Sequence, residues 1–490
     1  MKEKIDTNIV LKILIIVVII YFFIFIAATN MKTAGYLCLA FLLLAIMLAY
    51  FQKISEKKFF TVVLFIYPLL PGLWGVHLPF GLPVLRAHRV EIMIVILYLV
   101  RNGLFVRYYT DYIKTNLFTL PILFIILSMT ISSFFSSAMG SSIFFTFSFI
   151  FEFVILTVVV FKAFQSREDI ESLVNALCNS GIVLCLVGLC ELIFEYNIYT
   201  IFGSYLEGPM GFQIREGTIR IYGPYGHSIA FGSYLAMTLP LILYKYRNFL
   251  GRFYFINVLF FFIIFSTQSR GAQVGAIVAF VSYFAFIERK KMLILLFFSI
   301  PFIVAFSNRL FKYFMQINPL TATNPEFIDS SSERSRQLAF YWGIIKEKSI
   351  FGYGLEEAPP LMRGLADGGE GNYQNTIDNY YLGYTYQYGL VGLATWAFFM
   401  LWIIIKPFIL FGKEIFKDKL IITLLFSFLI FDIINSIVFL LQYHFIFWIY
   451  LGMLTRLMVI KSHELAEAAK AEAAKVSGKA IPVLTSEHEL

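Results

Sequence analysis

The chain is written almost entirely in apolar runs of about 17–25 residues, the length an α-helix needs to cross a hydrocarbon core. Such runs lie near 8–28, 33–51, 59–80, 90–106, 117–136, 143–164, 171–195, 228–246, 253–269, 271–288, 292–306, 380–405, 420–438 and 443–460. Only helices or closed barrels satisfy backbone polar groups in lipid. Unbroken apolar runs without strict alternation read as helices, so the expectation is an all-α polytopic membrane protein with about fourteen transmembrane helices. Composition agrees: 59% of residues are hydrophobic and 14% charged, with a mean hydropathy of +0.78, where a soluble domain is about 25% charged. The first run, from Ile9 to Ala28, is too long for a signal-peptide core and no small-residue cleavage site follows it, so it reads as a retained helix.

Lys and Arg set the topology. With a cytoplasmic N-terminus, the inside loops hold Lys53, Lys57 and Lys58, then Arg101, Arg107 and Lys114, then Lys162 and Arg167, and further on Lys245, Arg247, Arg252 and Arg289. Lys406, Lys413, Lys417 and Lys419 complete the set, while the outer turns at 137–142 and 439–442 hold no Lys or Arg. That alternation follows the positive-inside rule and puts both termini in the cytoplasm. The net charge of +8 is therefore a topology signal and not a nucleic-acid footprint. Cys38, Cys178, Cys185 and Cys190 lie in spans without metal or disulfide spacing and read as packing residues. The inside loops leave no room for a nucleotide-binding domain and no Walker-type loop is present, which argues against ATP-driven transport.

The expected organisation is a transmembrane domain over 1–460 with two outer segments, a first outer loop at 196–227 and a large one at 307–379. A tail over 461–490 follows, with an Ala/Glu/Lys helix-forming spacer from about Leu465 and a flexible end, native or appended. The large loop is the one long polar excursion in the chain, and recognition or chemistry is expected there.

Basic residues on the outer side run against the topology rule and need another reason. Arg215 and Arg220 precede the turn Tyr222-Gly223-Pro224-Tyr225-Gly226-His227. Arg270 sits in Thr267-Gln268-Ser269-Arg270-Gly271-Ala272, between two apolar runs, where an unpaired charge is costly. Arg334 and Arg336 open an amphipathic segment from Leu338 to Ile345. Guanidinium groups gathered at one membrane face suit a diphosphate, which they bind bidentately. Singly, Arg215, Arg334 and Arg336 read equally well as solvated loop charges; Arg86 and Arg89, around His88, read as interfacial anchors. Asp378, beside Asn379 and just before a span, is an expected helix N-cap and also a carboxylate placed to deprotonate an acceptor hydroxyl. His227 opens a span in the same way, on a tight turn facing the same side, and is the second catalytic candidate beside its structural reading. Asp432 and Asn435 lie within a span, and Asp432 reads as a functional group or as the partner of one of these arginines. No zinc or magnesium ligand set is visible, and no cofactor is implied.

Taken in order, these features resemble the O-antigen ligase/polymerase superfamily. The residues that carry the resemblance are the Arg220…Gly223-Pro224…His227 turn, the Thr267–Ala272 turn and the large late outer loop. Its exit also fits, with Asn379 separated by nine residues from Gly389 and by a further two from Gly392, and Tyr341-Trp342 through Ser349-Ile350-Phe351-Gly352-Tyr353-Gly354 resembles the segment before the loop's variable part. The resemblance spans about 170–400. It implies a GT-C-like, metal-independent glycosyltransferase of the bacterial plasma (inner) membrane, active on the outward face, with a glycan on undecaprenyl diphosphate as donor. Arg220 and Arg270, with Arg215, Arg334 and Arg336, would hold the diphosphate, and Tyr222, Gly223, Gln268 and Asn379 would support the site. A chain-length regulator and a flippase would be its partners. The ligases carry His where this chain has Asp378, and polymerases of this kind often carry Asp-Asn there. The resemblance therefore favours a polymerase of lipid-linked repeat units (O-antigen, capsule or exopolysaccharide) over a ligase to lipid A-core. A flippase would show two similar halves and short loops on both sides, and this chain has neither.

Overall fold

The computed structural model describes residues 55–71, 75–76, 85–115, 117–202, 213–215, 218–289, 337–354, 362–363, 373–374, 377, 379–437 and 445–476. Over these residues the helices are α1 Glu56–Ile66, α2 Ala87–Arg101, α3 Phe105–Thr115, α4 Thr119–Phe134, α5 Met139–Ala163, α6 Arg167–Phe194, α7 Ser228–Tyr246, α8 Leu250–Ser266 and α9 Arg270–Phe286. They continue as α10 (337–345), α11 Tyr380–Phe411, α12 Lys419–Ile437 and α13 Phe445–Val476. The strands are confined to small antiparallel hairpins: β1 Gly75–Val76 with β2 Leu85–Arg86, β3 Gln213–Arg215 with β4 Thr218–Arg220, and β5 Met362–Arg363 with β6 Tyr373–Gln374.

The chain is an all-α multi-pass membrane protein. Among the described residues five helices are long and apolar enough to cross a bilayer, or up to six if the bent pair α3 and α4 forms one span. This is fewer than the fourteen expected. The runs at 8–28, 33–51 and 292–306 lie outside the described residues, and α8 and α9 are apolar but shorter. The run expected at 59–80 does not form one helix. After Ile66 the chain tightens into a 3₁₀ turn, Tyr67–Leu69, with Pro68 at its start, and the next proline, Pro71, has no N–H with which to continue a helix. The run at 90–106 likewise ends at Arg101 and restarts as α3. The Ala/Glu/Lys spacer continues α13 without a break to Val476, as its composition requires.

Polar contacts show which helix ends lie together. At one end Lys57 pairs with Asp169, and Arg167 forms a fork with Asp418 at 2.8 and 2.9 Å. At the same end Lys419 pairs with Glu288 at 2.7 Å and Lys245 donates to Asn179 at 2.8 Å. The basic loops assigned to one side by charge alternation thus meet at one end of the bundle. Asp418 is itself buried and caps α12 by accepting from Leu420 and Ile421 N–H.

Close helix contacts depend on small residues, as expected where lipid gives helices no hydrophobic reason to associate. α7 packs on α9 with Gly232 against Thr267 and Ala272, and α9 packs on α12 with Gly275 against Ile430 and Ile434. Serines on α4 bind α11: Ser132 donates to the Gln387 carbonyl at 2.7 Å, and the Ser128 and Thr395 hydroxyls are 3.1 Å apart.

Candidate functional site

The end of the bundle opposite Asp418 gathers the turns singled out in the sequence. The first is the segment from β4 to α7. After Arg220 the chain buries Ile221 and Tyr222, then makes a 3₁₀ turn at Gly223–Tyr225. Gly223 has φ +51, and a Cβ there would also press on the Phe231 ring at 3.0 Å. The turn is held from below by a residue the sequence reading passed over. Glu191, buried near the end of α6, accepts from Tyr222 N–H at 3.2 Å and Gly223 N–H at 2.9 Å, one with each carboxylate oxygen. Asn197 donates to the Gly223 carbonyl at 2.9 Å from the other side. The available signal was an acid inside an apolar run, a functional suspect in a membrane. Burial, with the Glu191 carboxylate beside it, pushes the Tyr222 phenol up to about 12, so it is a neutral hydroxyl at ordinary pH.

Replacing Glu191 by Ala leaves two inward-facing backbone donors without their acceptor, which costs about 1–3 kcal/mol each in buried surroundings. The expected result is a lowered melting temperature in detergent, with Glu191→Gln, which keeps one acceptor oxygen, between Ala and wild type. Wild-type melting for both variants would show that this carboxylate does not hold the turn.

The second turn joins α8 to α9. Thr267 closes α8 with its hydroxyl on the Ile264 carbonyl at 2.6 Å. Gln268 then takes a left-handed conformation, φ 52, which is strained for a non-glycine residue. Ser269 is the N-cap position and Arg270 is the first residue of α9. The two turns touch: Arg220 Nε donates to the Thr267 carbonyl at 3.2 Å. Arg220 is thereby fixed on the turn that presents Arg270.

The placement of Arg270 opposes local electrostatics. A helix N-terminus carries about half a positive charge, which favours anions over cations. A guanidinium at that point makes physical sense when an anion is shared between the side chain and the helix end. α7 also begins here, close to α9 through Gly232, with His227 as its N-cap.

His227 Nδ1 accepts from Ile229 N–H at 3.2 Å. In the neutral ring the proton is then on Nε2, so the exposed imidazole edge is an N–H donor and not a lone pair. This arrangement suits hydrogen bonding to a phosphate or sugar oxygen better than general-base work.

The third element is the start of α11. Asn379 is its N-cap, with the side-chain oxygen accepting from Leu382 N–H at 3.1 Å. The capping role expected of Asp378 therefore belongs to Asn379. Asp378 itself, Arg334 and Arg336 lie outside the described residues, as do the side chains of Arg215 and Asn435; the backbone of Arg215 pairs with Thr218 in the β3–β4 hairpin. Tyr381, in the first turn of α11, donates its hydroxyl to Asp432. Asp432 thus has a phenol as partner where an arginine had been one expectation. Arg89 is not a simple interfacial anchor either: it pairs at 2.8 Å with Glu152, which sits in a π turn, Ile150–Val154, inside α5.

The glycines that end the late loop have a plain structural reason. Gly389 breaks α11 at φ 66, ψ −170, and the segment after α10 docks into the break. Tyr353 N–H and Gly354 N–H donate to the Tyr386 and Gln387 carbonyls at 2.9 and 2.8 Å, while Leu390 and Val391 N–H donate to the Ser349 and Ile350 carbonyls at 2.8 and 3.2 Å. A Cβ at position 389 would lie 2.2 Å from the Ile350 carbonyl oxygen. A second small core forms above this joint from Tyr341, Ile345, Tyr353, Ile377, Leu382 and Tyr386, with Tyr353 and Tyr386 stacked at 4.8 Å.

Among the described residues no group of three or more His, Cys, Asp or Glu side chains could hold a metal ion. No curated protein matches the chain. Residues 255–397 match the family model described as O-antigen ligase, a stretch that holds most of α8, the Arg270 turn, α10, Asn379 and the Gly389 break. The glycine joint and the Arg270 turn therefore belong to the matched stretch, and over it the chain is similar to the O-antigen ligase family, in support of the O-antigen ligase/polymerase resemblance.

Proposed function

We propose that this protein is a polysaccharide polymerase. It would transfer a growing glycan from undecaprenyl diphosphate to the non-reducing end of another lipid-linked repeat unit, on the outer face of the bacterial plasma membrane. The observation that carries this reading is the contact of Arg220 with the turn that presents Arg270, at the start of a helix inside the family-matched stretch. The leaving group of such a reaction is a membrane-anchored diphosphate. Two guanidinium groups and the adjoining N-termini of α7 and α9 form an anion site of the matching charge.

In the reaction the acceptor hydroxyl oxygen attacks the anomeric carbon of the donor glycan. The bond from that carbon to the diphosphate oxygen breaks, and its electron pair leaves with undecaprenyl diphosphate. Arg220 and Arg270 stabilise the charge that develops there, taking the place a metal ion fills in other transferases. The His227 Nε2–H donates to a phosphate or sugar oxygen. The hydroxyl proton passes to Asp378, while the adjacent Asn379 supplies the helix cap. Arg215, Arg334 and Arg336 extend the same positive field. Both termini lie in the cytoplasm, and 196–227 and 307–379 are the outer segments.

The test uses purified protein in nanodiscs with one substrate, the undecaprenyl-diphosphate repeat unit of the host. A product ladder formed without nucleotide sugar or metal supports the polymerase. Transfer that appears only after addition of lipid A-core supports a ligase, and no transfer by folded protein points to a flippase. Within that assay Asp378→Asn is expected to lower turnover by about 10²- to 10⁴-fold, the usual worth of a general base; undiminished turnover removes Asp378 from that role.

A further inference from the structure

α10 lies within the stretch read from the sequence as an aqueous loop, yet its uncovered side has no aqueous chemistry. Gln337, Tyr341 and Ile345, one helical turn apart, face inward and are buried. The remaining arc carries Leu338, Phe340 and Trp342 at 56%, 37% and 43% exposure, together with Ala339 and Gly343, and no charged or hydrogen-bonding group other than the indole N–H. Ile350, just beyond, is 59% exposed. A contiguous apolar face of this kind on a folded helix marks a contact surface.

The position of the helix says what covers it. The chain after α10 descends to the joint at Gly389, inside α11, and reaches the end of α4. Phe351 stacks on Phe135 at 4.9 Å, and Lys348 Nζ donates to the Phe135 carbonyl at 3.4 Å. Phe135 ends an α4 flank that exposes Leu120, Leu123, Phe124, Leu127 and Phe134, the side chains expected on a lipid-facing helix. The apolar arc of α10 is reached from that flank through Phe351 and Ile350. The exposed run Lys346-Glu347-Lys348 follows it directly, charged side chains at the depth where a headgroup region would meet them.

We propose that α10 is bedded in the bilayer, with Leu338, Phe340 and Trp342 in the acyl–headgroup boundary of the leaflet at the site end of the bundle. In the topology given above this is the outer leaflet. α10 and the segment that follows it to Gly354 then form a membrane-supported wall beside the Gly389 joint. This inference stands whatever group the site transfers.

The test compares wild-type protein with Trp342→Phe in nanodiscs of phosphatidylcholine brominated at acyl carbons 6 and 7, with iodide as the aqueous quencher. Trp342 is one of five tryptophans. The expected result is that wild type shows a bromolipid-quenched component, about one tryptophan in five, which Trp342→Phe lacks, while iodide quenches the two proteins alike. A component of wild-type emission reached by iodide and lost in Trp342→Phe would put the face in water. Equal quenching of both proteins by both agents would mean that protein, such as a second copy of the chain, covers it. Either outcome overturns the proposal. Trp342→Phe removes an exposed indole and keeps an aromatic ring, so folding is not at stake.

Discussion

Arg270→Lys and Arg220→Lys each leave the protein folded and slow transfer from a diphosphate-linked donor by about a hundredfold, the scale on which removing one preorganised donor to a developing anion is felt. Lysine keeps the charge but loses the planar fork that meets phosphate oxygens in pairs. At position 220 it also loses the Nε–H that binds the Thr267 carbonyl at 3.2 Å, so the ammonium is no longer fixed on the Arg270 turn. The expected kinetic signature is a fall in kcat larger than any rise in KM, because leaving-group charge is greatest in the transition state. Arg289→Lys, an exposed change at the other end of α9 where Arg289 donates to the Ala285 carbonyl, serves as the control and keeps wild-type rates. Equal rates for all three variants would take the arginines out of the chemistry.

The second large effect is expected at the glycine joint. Gly389→Ala puts a side chain at φ 66, ψ −170, a region open essentially to glycine alone, and drives its Cβ to 2.2 Å from the Ile350 carbonyl oxygen. The backbone strain is about 1–3 kcal/mol, and relief of the clash breaks hydrogen bonds that tie 349–354 to α11. A loss of about 3 kcal/mol or more is expected, read as a markedly lower melting temperature together with loss of transfer. Gly140→Ala, where an added Cβ meets nothing within 4 Å, is the matched control and leaves both unchanged. If Gly389→Ala melts like wild type, α11 accommodates the side chain and the joint is not rigid.

Much of the site was legible because its signals are local. Arginines between apolar runs, a Gly-Pro-Tyr-Gly turn before a span and the spacing from Asn379 to Gly389 and Gly392 can all be read along one stretch of chain. What escaped depends on which spans touch. Glu191 looked like one acid in an apolar run until α6 was seen beside the Gly223 turn. The pairing of Asp432 with Tyr381 required α11 against α12, and that of Arg89 with Glu152 required α2 against the π turn of α5. The cap at Asn379 and not Asp378 is a shift of one residue, the usual uncertainty of a helix boundary. The break after Ile66 was masked because an apolar run carries hydropathy across a proline as readily as through a helix. The sequence from Leu338 to Ile345 has an amphipathic pattern, but which face is covered becomes evident only once Tyr341 and Ile345 are known to point inward.

The most direct measurement is equilibrium binding of undecaprenyl diphosphate, the leaving product, to the protein in nanodiscs, with undecaprenyl monophosphate as the comparison ligand. Wild type is expected to bind the diphosphate at least about tenfold more tightly than the monophosphate, since each well-made charged contact contributes about 1.5–3 kcal/mol. Arg220→Lys and Arg270→Lys are each expected to abolish that preference while leaving monophosphate binding nearly unchanged. Equal affinity for the two lipids in wild type, or a preference that survives in both variants, would contradict the assignment of the Arg220–Arg270 turn as the diphosphate site.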